Sequence, residues 1–265
     1  MTLEVLLSAM GLSDESYIDS LNISSDAVVI NQCDRDSKEK LERRSKKGKL
    51  QKVCYICSKE RGLSKSRNMA IKNSEADICI LCDNDVEYTE DYEKIIRDAY
   101  KRHKDADLIV FYIKRKERLK PLSSKDKRMN YLSVLKIFSP EISFKRESIK
   151  GINFNESFGA GAKYIMGEEN IFLYDCLKQG KRIYYVPLKI AELREEESTW
   201  FKGYDKSFFI SRGANYAAMS KTFAGLLIWQ FAIRKIKLYR DSMSPRRAIS
   251  LMYRGKREYE GIHSR

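Results

Sequence analysis

Five short apolar runs punctuate the first half of the chain, and they limit its fold more than any other feature. Leu3–Ser8, Ala27–Gln32, Lys52–Cys57, Asp77–Cys82 and Asp107–Ile113 are rich in Val, Ile, Leu, Cys and aromatic residues. They lack clean polar alternation, as expected of strands covered on both faces. Amphipathic or polar stretches separate them, so the pattern predicts an α/β fold with a largely parallel central sheet flanked by helices. The clearest helix is predicted from about Thr89 to His103, because Tyr92, Ile95, Ile96, Ala99 and Tyr100 share one face. Thr89 is its expected N-cap, with Glu90 and Asp91 complementing the dipole in the first turn.

The second half reads less regularly. Lys114–Arg128 is polar and basic with a Ser-Ser pair and is expected to be a mobile loop. Leu135–Phe138 looks strand-like, and a Gly-rich segment, Phe158-Gly-Ala-Gly-Ala162, precedes a helix predicted over Glu168–Lys178. Gly180 suits a left-handed position just past that helix. Ile183–Val186 reads as a strand stopped by Pro187, and residues 207–239 as helical and aromatic. With 265 residues, 43% of them apolar, and only 4 Pro and 13 Gly, the chain can bury a real core, which excludes a disordered or collagen-like chain.

The 51 Lys+Arg against 37 Asp+Glu give a net charge of +14, which favours an anionic partner: nucleic acid, nucleotide phosphate or a membrane surface. The charge is uneven. No Lys or Arg precedes Arg35, whereas 11 Lys+Arg stand against 3 Asp+Glu from Lys221 to Arg265. No stretch reaches the ~18 apolar residues that span a bilayer. Leu3–Leu7 has no basic residue ahead of it and no cleavage site after it, so no signal peptide is expected. The six cysteines are then expected to be reduced thiols in a cytoplasm.

The run Ile78–Cys82 ends abruptly in Asp83-Asn84-Asp85-Val86. Ligands of open parallel sheets bind beyond the carboxyl ends of the strands. Two carboxylates one residue apart there suit a hard divalent cation, Mg²⁺ or Mn²⁺, that bridges a diphosphate. The same residues also suit an ordinary Asp/Asn turn before a helix. Cys54-x-x-Cys57 and Cys79-x-x-Cys82 imitate zinc-ribbon spacing. Both pairs, however, lie inside strand-like runs, where positions i and i+3 face opposite sides. Buried thiols are expected there instead of a zinc site.

Taken in order, Gly62-Leu-Ser-Lys-Ser-Arg-Asn68, Cys82-Asp83-Asn84-Asp85-Val86, Phe158-Gly-Ala-Gly-Ala162 and Gly167-Glu-Glu-Asn170 carry a resemblance. Over most of residues 1–200 the chain resembles the inverting glycosyltransferases of family 2, of bacterial capsule and exopolysaccharide type, which have a Rossmann-like GT-A fold. The resemblance implies a hexosyltransferase that takes a UDP-linked sugar with Mn²⁺ or Mg²⁺. By position, Asp83 would contact the nucleotide sugar and the metal, and Asp85 would ligate the metal. Arg67 would reach the base or its phosphates, and Ser8 would border the nucleotide pocket. The second strand departs from the family's Asp pair: Asn31 and Gln32 stand there, with Asp34 and Asp36 beyond. A Gln side-chain oxygen can accept the hydrogen bond from the base, so Gln32 and Asp34 are the expected base contacts.

Glu168-Glu169 matches the family's later acidic pair, whose second member is the base, so Glu169 is the expected catalytic base and Glu168 the fallback. Without the resemblance both would be read as complementing a helix dipole. Relatives often add a His as third metal ligand. Only His103 and His263 occur here, neither in that region, leaving Glu192, Glu197 or water. Phe158, Gly159 and Trp200 are expected to meet the acceptor.

The expected domains are a catalytic domain over 1–200 and a helical, basic extension over 201–265. Within the first, 1–114 is the nucleotide-sugar half and 131–200 the acceptor half. Phe223–Ile233 followed by Arg234, Lys235, Lys237 and Arg240 reads as a helix lying in an anionic membrane interface. The same segment also suits a core or dimer helix with a solvated tail. On the membrane reading the protein is expected on the inner face of the cell membrane, beside a lipid-linked acceptor, with no nucleic-acid partner. The alternatives are a catalytically silent scaffold of the same shape and a sugar-phosphate nucleotidyltransferase. The latter wants a Gly-rich loop after the first strand, where only Gly11 occurs.

Overall fold

A computed structural model describes residues 1–194, 201 and 203–263. The chain divides into two compact units. The first comprises Met1–Arg61, Lys65–Asn153 and the described residues from Cys176 onward through the last strand; the second comprises Gly62–Ser64, Phe154–Asp175 and the described residues beyond 197.

The first unit is built on one sheet. Its elements are β1 (Leu3–Met10), α1 (Tyr17–Ser20), β2 (Asp26–Gln32), β3 (Ser37–Arg44), β4 (Leu50–Ser58), most of α2 (Leu63–Asn73), β5 (Ile78–Asp83) and β6 (Val86–Tyr88). Then come α3 (Tyr92–Arg102), β7 (Leu108–Lys114), β8 (Lys127–Arg128), β9 (Ile142–Lys145), the last turn of α4 (Glu168–Lys178) and β10 (Ile183–Leu193). The strand order is β3-β4-β2-β1-β5-β9-β7-β10-β6, with β8 also paired to β10. Pairing is parallel through β4, β2, β1 and β5 and between β7 and β10, and antiparallel elsewhere. All five sequence-predicted strands are present. Val5, Leu7, Val29, Val53, Ile80 and Cys82 belong to one buried apolar cluster.

Several local expectations need correction. Thr89 is no N-cap: its amide and hydroxyl both donate to Ile190 O, at 2.8 and 3.1 Å, and the helix starts at Tyr92. Leu135–Phe138 is no strand; Val134–Lys136 forms a 3₁₀ turn, and the strand there is β9, antiparallel to both β5 and β7. Pro187 does not stop β10. It lies between Tyr185 and Lys189, where the register against β7 shifts, the kind of irregularity that tolerates a residue with no N–H. The basic loop is tied down. Arg118 pairs with fully buried Glu141 at 2.5 Å, Leu122 N donates to the Tyr185 hydroxyl at 2.9 Å, and β8 joins the sheet. β3, eight residues with the sequence SKEKLERR, pairs antiparallel with β4. Its charges suit an edge strand, and they hide the periodicity by which a strand is recognised.

The second unit is mostly helical: the head of α4, then α5 (Lys206–Met219), α6 (Ala224–Arg234), α7 (Ile236–Tyr239) and α8 (Pro245–His263). Asp205 caps α5, its carboxylate accepting from Phe208 N at 2.7 Å. α5 and α8 cross at two glycines. A Cβ on Gly213 would lie 1.8 Å from Met252 O, and one on Gly255 would lie 1.9 Å from Ile210 O. Phe208, Phe209, Phe231 and Tyr239 pack into an aromatic cluster beside that crossing. Among the described residues no helix is long and apolar enough to cross a membrane.

Candidate active site

In the first unit the predicted donor residues gather at the carboxyl ends of β1, β2 and β5. Ser8 stands opposite Asp83, and Met10 opposite Gln32, in adjacent parallel registers. α2 packs beneath them. Ser66 Oγ donates to Ser8 Oγ at 2.9 Å, and Arg67 Nη2 donates to Asp83 Oδ1 at 2.9 Å. Arg67 is 1% exposed and Asp83 about a fifth exposed. The guanidinium therefore sits behind the carboxylate, neutralising part of its charge, and offers no open face to a nucleotide. Ser8 is likewise buried and already hydrogen-bonded.

The turn that carries Asp85 is held from two sides. Tyr17 Oη donates to Asn84 O at 2.8 Å, and Arg194 N donates to Asp85 O at 2.8 Å. Arg194 reaches on to Glu87 at 3.4 Å and to Ser20 O. Neither Tyr17 nor Arg194 was found by sequence reasoning. Each lies more than 60 residues from its partner, and no local pattern links them.

At the end of β2, Asn31 is buried and its side chain is engaged within the protein. Its side chain accepts from Leu12 N and donates to Leu12 O, both at 2.9 Å, and donates to the Tyr55 hydroxyl at 2.9 Å. It thereby pins the loop after β1. Gln32 is also buried, and its carbonyl receives Gly11 N at 3.1 Å. Asp34 is fully exposed and pairs with Arg61 at 2.7 Å; the same guanidinium ties down the carbonyls of Cys33, Ser58 and Lys59.

Of the residues suggested to complete a metal shell, the described one, Glu192, is held by lysines. Lys189 lies at 2.6 Å and Lys114 at 3.2 Å, and those lysines hold its carboxyl below the usual range. His103 is structural, bonded to Asp126 at 2.7 Å and stacked on Tyr184. Glu197 and Trp200 lie outside the described residues. Among the described residues no group of three or more His, Cys, Asp and Glu could hold a metal. The donor set at Asp83 and Asp85 is nevertheless of the right kind: two oxygen ligands, enough for an ion that keeps waters and shares diphosphate oxygens.

Among the described residues the cysteine pairs join no group of three or more side chains that could hold a metal. Cys54, Cys57, Cys79 and Cys82 are buried, and all six cysteines are free thiols. Burial pushes Cys79 up to about 12 and Cys82 well above the usual range. A cavity of about 450 Å³ lined by Thr2, Glu4, Asp26, Lys40 and Glu75 lies at the opposite, amino ends of β1 and β2.

In the second unit, the Gly-rich segment is a folded turn. Gly159 N donates to Tyr164 O and Ala162 N to Gly159 O, at 2.9 and 3.1 Å, with Gly159 at φ +103°. Ser64 Oγ donates to Phe158 O at 2.7 Å. Phe158 is fully buried, stacked on Tyr164 at 4.9 Å and tilted against Tyr259, so its ring presents no face to an acceptor. Gly159 borders the acid pair: a Cβ there would touch the Glu168 carboxylate at 3.4 Å. Glu168 is buried at the head of α4, whereas Glu169 is half-exposed.

Comparison with known proteins bears on the family and the fold. The family model described as Glycosyl transferase family 2 matches residues 24–161, more than half of the chain. No curated protein sequence matches. Among solved structures, the chain is similar to residues 1–349 of S. aureus TarS in complex with UDP-GlcNAc, at 15% identity and a TM-score of 0.60, covering 91% of this chain and 74% of that one. The complex of the same TarS fragment with UDP gives 14% identity, a TM-score of 0.58 and the same coverage. A longer TarS chain gives 13% identity and a TM-score of 0.60, with 91% of this chain and 44% of that chain covered. At such identities the likeness concerns the fold, an α/β, GT-A-like architecture with a mixed, mostly parallel sheet.

Proposed function

This chain belongs to glycosyl transferase family 2 and is a glycosyltransferase, and from that premise we propose that it moves a sugar from a UDP-linked donor to a saccharide hydroxyl with inversion. The observation that carries the reading is the Arg67–Asp83 pair at the carboxyl end of β5, one residue short of a braced Asp85. The TarS fragment of similar fold has been crystallised with UDP and with UDP-GlcNAc. That favours UDP over other diphosphates here.

In this reading Asp83 and Asp85 would hold Mn²⁺ or Mg²⁺, and the ion would supply charge neutralisation of the diphosphate leaving group. Arg67 acts through Asp83, keeping that carboxylate oriented. Gln32 offers its side-chain oxygen to the base, and Asn31 and Ser8 support the pocket wall. Glu169 takes the proton from the acceptor hydroxyl as it attacks the anomeric carbon. Its partial exposure suits that task better than the packed carboxylate of Glu168. The acceptor is a lipid-linked saccharide of a surface polymer, met at the inner face of the cell membrane. Supporting this, Phe223, Leu226, Trp229 and Ile233 are all exposed along α6 and its start, next to exposed Arg234, Lys235, Lys237 and Arg240.

The test is a thermal-shift series on the full chain with UDP or UDP-GlcNAc and Mn²⁺, Mg²⁺ or EDTA, followed by transfer assays. Ligand that binds the native state raises apparent stability by mass action. A shift is expected that EDTA and Asp85→Ala both remove. Glu169→Gln should keep the shift and lose transfer by about 10²–10⁴-fold. A Glu169→Gln enzyme with wild-type turnover would remove the residue from the role, and no shift with any nucleotide would sink the donor site.

A further inference from the structure

The irregular segment that leads into α4 is held by α5. Ile165 N donates to Ser211 Oγ at 3.2 Å, and Asn215 Nδ2 donates to Gly167 O at 2.8 Å. Ser211 and Asn215 lie one helical turn apart, on one face of α5, and are 1% and 0% exposed. Gly167 O also accepts Ile171 N at 3.1 Å, so a single carbonyl both closes the first turn of α4 and receives the Asn215 amide.

The fit is close. Gly167 has φ +92°, and a Cβ there would lie 2.3 Å from Asn215 Nδ2. Asn215 Oδ1 is buried without a hydrogen-bond partner, a destabilising feature that an apolar side chain of similar size would avoid. A polar residue kept at such a cost calls for a reason beyond packing. The far side of α5 is fixed as well, because Gly213 lies directly against the α8 backbone at Met252.

We propose that Ser211 and Asn215 are positioning residues for the carboxylates at the head of α4. They grip the backbone at residues 165 and 167 and so set the direction in which Glu168 and Glu169 leave the helix. The C-terminal helices are then part of the catalytic apparatus and more than a membrane anchor. The inference rests on the reading of Glu169, with Glu168 as fallback, as the base.

The experiment uses the full chain, Mn²⁺ and UDP-GlcNAc, measuring UDP release across pH alongside the UDP thermal shift. Asn215→Asp keeps the shape but loses the N–H donor and sets a carboxylate beside the Gly167 carbonyl. It should lower kcat about a hundredfold, since small misplacements of a reacting group cost that much, while KM for the donor and the thermal shift stay unchanged. The acidic limb of its kcat profile should move to higher pH, because an added negative charge raises the pKa of a nearby carboxylate. Ser211→Ala should lower kcat without moving that limb, and Ser211→Thr, which keeps the acceptor oxygen, should restore the rate; this pair decides the matter if Asn215→Asp fails to fold. Variants that melt earlier yet keep wild-type kcat and pH profile would make both residues merely structural and overturn the proposal. So would loss of donor binding together with rate. Failure of the base reading looks different: Glu168→Gln and Glu169→Gln would then both turn over normally, whatever Ser211 and Asn215 do.

Discussion

Arg67 and Asp83 illustrate how a residue's part changes once its surroundings are known. The sequence motif places an arginine near a nucleotide. In the fold it is 1% exposed and directed at a carboxylate. A buried guanidinium left without its partner is costly, typically 3–5 kcal/mol, so the pair shapes the site as one unit. The cysteines give a prediction at the same scale. Burial holds the thiols of Cys79 and Cys82 protonated, with the Cys79 value at about 12, and shields them, whereas Cys33 is partly exposed. Iodoacetamide on the native protein, followed by peptide mass mapping, should label Cys33 first and leave Cys79 and Cys82 untouched until denaturant is added. Equal labelling of all three would mean that β5 opens far more readily than its burial implies.

At the scale of elements, the α5–α8 crossing is the most tightly specified contact in the second unit. A methyl group on Gly255 would lie 1.9 Å from Ile210 O, which belongs to a helix backbone and cannot rotate aside. Gly255→Ala should therefore cost about 1–3 kcal/mol through overpacking, read as a lower midpoint in urea. Gly261→Ala serves as control, because open space surrounds a Cβ there; in the same helix it should be neutral or stabilise by about 0.4–1 kcal/mol. A Gly255→Ala midpoint equal to wild type would show that the helices can separate without loss. Elements are also where the sequence reading succeeded and failed for identifiable reasons. β1, β2, β4, β5 and β7 were legible because each is an apolar run covered on both faces. β3 was not, since its charges answer to an edge position that only the pairing with β4 defines. The basic loop after β7 looked mobile because its anchor, Glu141, lies more than 20 residues further on.

For the whole molecule, the net charge of +14 and the exposed apolar line of Phe223, Leu226, Trp229 and Ile233 carry a joint prediction. The protein should float with phosphatidylcholine vesicles containing phosphatidylglycerol and not with phosphatidylcholine alone. Replacing Lys235 or Lys237 by Gln should weaken partitioning about fivefold each, the equivalent of ~1 kcal/mol per cation near the surface. Leu226→Glu with Ile233→Glu should abolish it while the UDP thermal shift persists. Protein left unbound by both kinds of vesicle, with a self-association that the double variant disrupts, would assign that line of residues to a second copy of the chain instead.

Motif order and apolar runs by themselves determined the α/β class, the strands that form the middle of the sheet, the Asp83–Asp85 turn at a strand's carboxyl end and the acid pair at the head of a helix. Such features are legible because they are local: spacing within a few residues dictates which face is buried and where a strand stops. Only the tertiary structure decided that Arg67 backs Asp83, that Asn31 pins Leu12, that Phe158 is buried and that Ser211 and Asn215 grip the entrance to α4. These contacts join residues from about 16 to almost 50 positions apart. Their energy depends on burial and on distances of a few ångströms, and no linear pattern records either one.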